Sequence, residues 1–294
     1  MTGPAAQNTR LGIWLMAATS LVFSAQDGFS RYLAAEYNVW MIVMIRFWFF
    51  AALVTALAAR APGGLGAAVR ARFPKLQVLR GVLLALEICV NVSGFVILGL
   101  VQSHAVFACY PLLVAALSGP ILGERVGWRR WAAIGAGFLG VLVILEPGVR
   151  AISPASAIPL LAAVMFAVYA LLTRYVAKAD AASVSVFWTG VAGAAAMTVI
   201  GLWHWQPLVR SDWGWMTALC LSGALGHFLM IKAFAVAEAS AIQPFAYLQL
   251  VFASGVGVLV FGDRIEANVV AGAAIVVGAG VFTLWRARLA EKRA

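Results

Sequence analysis

Ser103-His104-Ala105-Val106-Phe107-Ala108-Cys109-Tyr110-Pro111 runs on through an apolar stretch to Gly123-Glu124-Arg125. A counterpart, Ser240-Ala241-Ile242-Gln243-Pro244-Phe245-Ala246-Tyr247, runs on in the same way to Gly262-Asp263-Arg264. A further apolar run follows each copy, Trp131–Leu145 after the first and Val269–Trp285 after the second. Each copy reads as helix, tight Gly-acid-Arg turn, helix. The copies lie about 140 residues apart, roughly half the chain, which is the spacing of a duplicated membrane protein. The expected organisation is two related halves, residues 1–148 and 149–294, with the function carried between them.

The composition places both halves in a membrane. The 294 residues are 64% hydrophobic and 11% charged, whereas a soluble domain carries about 25% charged residues and needs them to cover its surface. The apolar runs are continuous over about 20 residues, enough to cross the hydrocarbon as helices. Barrel strands would instead alternate over about ten. The formal net charge is +10, but the basic residues are scattered between apolar runs without aromatic interleaving. That pattern excludes nucleic acid as a partner and fits cytoplasmic loops. Cys89, Cys109 and Cys220 each sit inside an apolar run without CxxC spacing, so they read as packing residues, neither disulfides nor metal ligands.

Ten spans are expected: Leu11–Arg31, Val39–Ala59, Leu76–Leu98, Ser103–Leu122, Arg129–Leu145, Ala155–Val176, Val184–Trp203, Trp213–Ala235, Ser240–Phe261 and Ala267–Trp285. A competing reading makes the first span a signal peptide cut after Ala25, which would leave nine spans and spoil the duplication. With the N-terminus in the cytoplasm, that side gathers Arg60, Arg70, Arg72, Lys75, Arg80, Arg125, Arg129, Arg130 and the C-terminal Arg286, Arg288, Lys292 and Arg293. The opposite side holds only Arg31, Arg150, Arg210 and Arg264. The positive-inside rule therefore puts both termini in the cytoplasm of an inner, plasma-type membrane. Five spans per half is odd, so the second half enters from the opposite face. The fold class is all-α and polytopic: two inverted five-helix repeats around a central cavity, the layout of many secondary transporters.

An ionisable group at mid-membrane costs about 2.5–3.5 kcal/mol on insertion scales and needs a reason. Glu87, about eleven residues into the third span, shares a face with Asn91 at i+4. It is either a substrate or proton site facing the cavity, or a carboxylate buried against Arg80 or Lys232. Asp27 and Arg46 lie at matching depths on adjacent spans, which favours a structural ion pair. Ser20, Ser24, Asp27 and Arg31 share one face and suggest a wetted stripe. His227, mid-span and beside Glu87 at the repeat offset, is either a site residue or a quiet interhelical hydrogen bond. His104 has a weaker claim than His227. Tyr110, Gln243 and Tyr247 belong to the repeated stretch, where Pro111 and Pro244 free backbone carbonyls. They could hold a small amphipathic solute, or act as helix glue around a kink. Trp14, Tyr169 and Trp188, with Phe95 and Phe107, are candidates to line the same cavity. Glycines crowd spans five and ten (Gly135, Gly137, Gly140, Gly272, Gly278 and Gly280), marking close packing or a dimer surface outside the pathway.

No HExxH, GxSxG, P-loop or acidic metal cluster occurs, so neither ATP-driven pumping nor a cofactor is expected. Ten spans, short loops, duplication and the Gly-Glu-Arg and Gly-Asp-Arg turns together resemble the drug/metabolite transporter superfamily, EamA type. Ala239–Gln249 is similar to that family's second repeat, and the chain is similar to YddG-type amino-acid exporters. The resemblance implies a basket in which spans one to four and six to nine line the cavity while five and ten stand outside. It also implies a non-enzymatic secondary transporter that exports small metabolites, neutral or aromatic amino acids first, by alternating access. Efflux of lipophilic cations or other metabolites is the alternative within transport. A membrane enzyme or a structural subunit is the competing class. The expected partners are a small-molecule solute and membrane lipid, with monomer and homodimer both open.

Overall fold

A computed structural model describes residues 8–122, 127–145, 155, 157–177, 179–236 and 243–291. The Gly123-Glu124-Arg125 turn, Ser240–Ile242, the boundary between the two expected halves, and the side chain of Gln243 lie outside the described residues. The described chain is helical: α1 Thr9–Glu36, α2 Val39–Arg60, α3 Gly64–Val69, α4 Pro74–Leu98, α5 Leu100–Phe107, α6 Tyr110–Leu122, α7 Trp128–Leu145, α8 Ala157–Val176, α9 Ala182–Gly201, α10 Asp212–Val236, α11 Leu248–Phe261 and α12 Ala267–Glu291. Short 3₁₀ turns occupy Leu202–His204 and Gln243–Tyr247. Among the described residues, five helical segments are long and apolar enough to cross a membrane, and Trp131–Leu145, Phe245–Phe261 and Ala267–Phe282 are shorter apolar helices.

Local chemistry sets the helix ends. Asn8 and Asn38 cap α1 and α2, accepting from the amides of Leu11 and Met41 at 3.0 and 2.8 Å. Such caps satisfy donors that the first turn leaves free. Pro74 opens α4, where its missing N–H costs nothing. The expected span Ser103–Leu122 is broken in two. Pro111 cannot donate to the Phe107 carbonyl, so α5 ends at Phe107 and α6 restarts at Tyr110. In the second copy a 3₁₀ turn, Gln243–Tyr247, runs through Pro244 and leads straight into α11. Gly262 closes α11 in the left-handed conformation, φ 69°, which favours glycine.

Packing runs mainly between the two halves of the sequence. α1 lies along α10 and α11, α2 along α9, α4 along α8 and α9, α5 along α11, and α7 along α12. A buried core of Met41, Ile42, Met44, Phe47, Cys89, Met197 and Met216 fills the space between α2, α4, α9 and α10. A second, around Ala105, Leu112, Ile134, Ala163 and Val276, joins α5 to α8 and α12. Where α7 meets α12, a Cβ on Gly140 would stand 2.8 Å from the Gly272 carbonyl, and one on Gly272 would stand 2.5 Å from the Gly140 carbonyl. Those two glycines let the backbones touch.

The polar stripe of α1 is a seam, not a wetted face. Ser20 donates to the Phe245 carbonyl at 3.3 Å and Ser24 to the Gln249 carbonyl at 3.2 Å. Asp27 accepts from Gln249 at 3.0 Å, and Arg31 pairs with Asp263 at 2.8 Å. Asp263 also accepts from the Leu100 amide at 2.8 Å, so its carboxylate caps α5, where a helix start favours negative charge. All four stripe residues therefore face the second copy of the repeated stretch.

Candidate functional site

Helix packing brings one group of polar side chains together without pairing them. Arg46 comes from the middle of α2, Glu87 and Asn91 from α4, Gln26 from α1 and His227 from α10. Arg46 makes no hydrogen bond or ion pair to any described residue. Its electrostatic neighbours are Asp27 and Glu87. Glu87 is 2% exposed, and its Oε1 has no hydrogen-bond partner. Gln26 Oε1, Asn91 Oδ1 and His227 Nδ1 are buried and unpartnered as well. Native interiors rarely leave such atoms unpaired, and each costs about 1–3 kcal/mol. Gln26, Glu87 and His227 lie around Arg46, with Asn91 one turn along α4 from Glu87, and this group is the candidate site.

A cleft opens beside Arg46 and His227. Arg46, Phe47, Phe49, Phe50, Leu84, Ile88, Cys220, Gly223 and His227 line it. His227 sits between two phenylalanines, edge-on to Phe23 with centroids 5.2 Å apart and to Phe50 at 5.8 Å. Gly223 opens the floor: a Cβ there would lie 3.0 Å from Gln26 Oε1 and 3.8 Å from Arg46 Nε. The cleft therefore has a cation, an imidazole and aromatic walls, with the Gln26 amide oxygen behind Gly223 and the Glu87 carboxylate a charge neighbour of Arg46.

The expected Asp27–Arg46 ion pair does not form. Asp27 is engaged by His104, Nε2 to Oδ2 at 3.0 Å, and by Gln249. Sequence depth put Asp27 and Arg46 on one level but not on facing azimuths. Arg80 and Lys232 are likewise not Glu87's partners. Arg80 is buried in its own network, and Lys232 is exposed, its ammonium 5.6 Å from the Phe228 ring.

Other expected members stand elsewhere. Tyr110 and Tyr247 share a second pocket with His104, Phe107, Gln249 and Leu250. Tyr247 presses its hydroxyl against Gly280 of α12, and Tyr110 stacks edge-on to Phe166 at 4.8 Å. Tyr169 lies under Arg80, 5.1 Å from guanidinium to ring centroid. Trp188 donates to the Val69 carbonyl at 3.2 Å and so holds α3 in place. Trp14 is 74% exposed and walls no buried cleft. Aromatic residues deep in a span carry the same sequence signal whether they face lipid, core or cavity. His104, near the outer end of the fourth expected span, contacts Asp27, a pairing that residue spacing does not mark.

Metal binding finds no support in this geometry. No group of three or more His, Cys, Asp or Glu suited to a metal occurs among the described residues.

The comparison with known proteins agrees with this architecture. The model of the EamA-like transporter family matches residues 10–146 and 155–285. An S-adenosylmethionine uptake transporter of Rickettsia prowazekii is 25% identical over 274 residues, covering 93% of this chain and 92% of its own. A riboflavin transporter of Vibrio cholerae is 32% identical over 193 residues, 65% of each chain. A pseudopaline exporter of Pseudomonas aeruginosa is 23% identical over 268 residues, 90% of this chain and 93% of its own. The chain therefore belongs to the EamA-like transporter family of the drug/metabolite transporter superfamily, and is a multi-pass membrane transporter of small molecules, not an enzyme.

Proposed function

We propose that the cleft between α1, α2, α4 and α10 binds a small zwitterion carrying an amino-acid head group and an aromatic or heteroaromatic body. The observation that carries this reading is the pairing of an uncommitted guanidinium, Arg46, with an uncommitted carboxylate, Glu87. A solute carboxylate satisfies Arg46 and a solute ammonium satisfies Glu87, each through a charge-assisted hydrogen bond. Gln26, Asn91 and His227 take the remaining head-group contacts, and Phe23, Phe47 and Phe50 face the body. Aromatic amino acids fit this description. S-adenosylmethionine fits it too, being an amino acid with an adenosyl body. A lipophilic cation would occupy Glu87 and leave Arg46 unpaired, so the site favours it less.

The same proposal takes residues 1–148 and 149–294 as inverted repeats that rock about this cleft, with both termini cytoplasmic. Supporting it, the family model matches each half separately, and the α1–α11 and α6–α8 contacts exchange when the halves are swapped. A site at the repeat interface is then reachable from either side in turn. A reporter fused after Ala294 or inserted near Gly66 should read cytoplasmic. An external reading from either would sink the inverted-repeat layout.

Solute counterflow in proteoliposomes tests the chemistry. Labelled tryptophan or S-adenosylmethionine should exchange, whereas riboflavin, which has neither an ammonium nor a carboxylate, should not. Glu87→Gln should lose that exchange while folding normally. Exchange of riboflavin alone would overturn the zwitterion reading. The same assay with one-sided loading reads direction, outward by the resemblance and by one relative's name, inward by another's.

A further inference from the structure

The two ends of the helix bundle carry charge differently. Where α1 stops and α2 begins, acids and bases mix, with Glu36, Asp212 and Asp263 standing among Arg31, Arg210 and Arg264. At the opposite end, the link from α2 to α4 carries four cations, Arg60, Arg70, Arg72 and Lys75, and no acid between them. All four are exposed, and their side chains make no hydrogen bond or ion pair to any described residue. One described acidic side chain lies at this end, Asp180 in the turn between α8 and α9. It is 7% exposed and already accepts from the Arg72 amide and from Gln77, at 2.6 and 2.9 Å. The counter-charge for the four cations therefore has to come from outside the described chain.

The link that presents these cations is folded onto the bundle. Its helix α3 packs against α2 and α9 and buries Ala68 in a cluster with Val54 and Phe187. Trp188 of α9 donates to the Val69 carbonyl at 3.2 Å, and the Phe73 ring lies 5.6 Å from the ring of Tyr175 on α8. Leu65 and Val69, one turn apart on α3 and so on one face, point outward, 42% and 47% exposed. A helix of this length spans about 9 Å, so Arg60 before it and Arg70 after it bracket the two apolar side chains. Apolar groups set between cations, at the end of membrane-spanning helices, match the boundary between acyl chains and headgroups.

We propose that α3 and its flanking cations form a docking surface for anionic phospholipid. The lipid phosphates take Arg60, Arg70, Arg72 and Lys75, and the acyl chains cover Leu65 and Val69. Basic segments beside a membrane helix attract anionic lipid roughly in proportion to their charge. Bound lipid then presses the link against α8 and α9, to which the Val69 carbonyl, the Phe73 ring and the Arg72 amide already tie it. The surface rests on the membrane placement of the family. It depends neither on the zwitterion reading nor on which end of the bundle is cytoplasmic.

Lipid titration of the full-length protein in a neutral detergent tests this. Pyrene-labelled phosphatidylglycerol and phosphatidylcholine are added separately, and energy transfer from tryptophan reads the binding of each. The wild type should bind phosphatidylglycerol more tightly. That preference should shrink as salt rises, because the reach of an exposed charge falls from about 30 Å at 0.01 M to about 3 Å at 1 M. The fourfold variant Arg60→Gln, Arg70→Gln, Arg72→Gln, Lys75→Gln should lose the preference, by roughly fivefold for each charge engaged. Arg210→Gln with Arg264→Gln, exposed cations at the other end, should keep it. Equal binding of the two lipids by the wild type overturns the proposal, and so does a preference kept by the folded fourfold variant or lost in the control pair. Inorganic phosphate that displaces phosphatidylglycerol at matched concentration makes the surface a site for free phosphate and also overturns lipid docking. If the fourfold variant does not fold, the salt series on the wild type decides, and a preference undiminished at 1 M salt counts against the surface.

Discussion

Arg80 and Arg46 are both arginines in the interior of one helical body, and they are treated in opposite ways. Arg80, 2% exposed, is hydrogen-bonded at every nitrogen. Its Nε donates to Thr173 at 2.8 Å, one terminal nitrogen to Gln77 at 2.6 Å and to the Ser185 carbonyl at 3.4 Å, and the other to Thr189 at 3.1 Å. Tyr169 supplies an aromatic face. Gln77 in turn donates to Asp180, which also accepts from the Arg72 amide at 2.6 Å. Donors and acceptors from α4, α8 and α9 are spent mainly on one another. Arg46 makes no such bonds among the described residues, and Gln26 and Glu87, each with a buried oxygen left unpartnered, lie near it. The closed network is architecture, and the open one is the candidate site. The distinction is invisible in residue identity and depends on which helix faces which.

The comparison breaks if the two arginines respond alike to substitution. The largest effect is expected at the open site. Arg46→Leu should reduce exchange of a carboxylate-bearing solute by roughly 10–150-fold, the value of a charged hydrogen bond of about 1.5–3 kcal/mol. Folded yield should not fall, because no protein contact is lost. Monodispersity on size exclusion, read beside flux, checks both halves of that expectation. Arg80→Leu should do the reverse. It strands Gln77 Oε1 at a cost of roughly 1–3 kcal/mol, which should appear as a lower unfolding temperature, with exchange per folded molecule largely kept. An Arg46→Leu protein that fails to fold would mean that Arg46 is structural after all.

A smaller effect sharpens the closed side. Asp180 lies in the turn between α8 and α9. Burial alone would raise its carboxyl, but hydrogen bonds from the Arg72 and Phe73 amides and from Gln77, with the Arg80 charge nearby, outweigh it and hold the group below the usual aspartate value. A value depressed by folding means that the stabilisation is present at neutral pH and is lost as pH falls through the folded-state value. The unfolding temperature of the wild type should therefore decline in acid, below about pH 4, and Asp180→Asn should flatten that decline. Identical acid profiles would remove Asp180 from the network's account.

How much of this was legible beforehand follows the same line. The apolar runs and the duplicated stretch are local signals and foretold the helices, whereas Pro111 suggested only a kink in span four and the structure breaks it into α5 and α6. Glu87, Asn91 and His227 announced themselves as polar residues in apolar runs. Their partners did not, because sequence gives depth along a span but not the azimuth at which a side chain leaves it. Asp27 was thus matched with Arg46 on depth, whereas α5 carries His104 into its face and α11 carries Gln249. Trp14, Tyr169 and Trp188 failed as cavity residues for a related reason. A large ring is equally at home against lipid, under a guanidinium or on a loop carbonyl, and only the packing decides.

The central claim is that Arg46 and Glu87 divide a zwitterionic head group between them, and group-matched analogues test it most directly. Equilibrium binding to the purified full chain is measured for tryptophan, for tryptamine, which lacks the carboxylate, and for indole-3-propionate, which lacks the ammonium. Arg46→Gln should weaken tryptophan and indole-3-propionate while leaving tryptamine as in the wild type. Glu87→Gln should weaken tryptophan and tryptamine while sparing indole-3-propionate. Loss of all three ligands to the same extent in both folded variants, or of none in either, would contradict the assignment of the site.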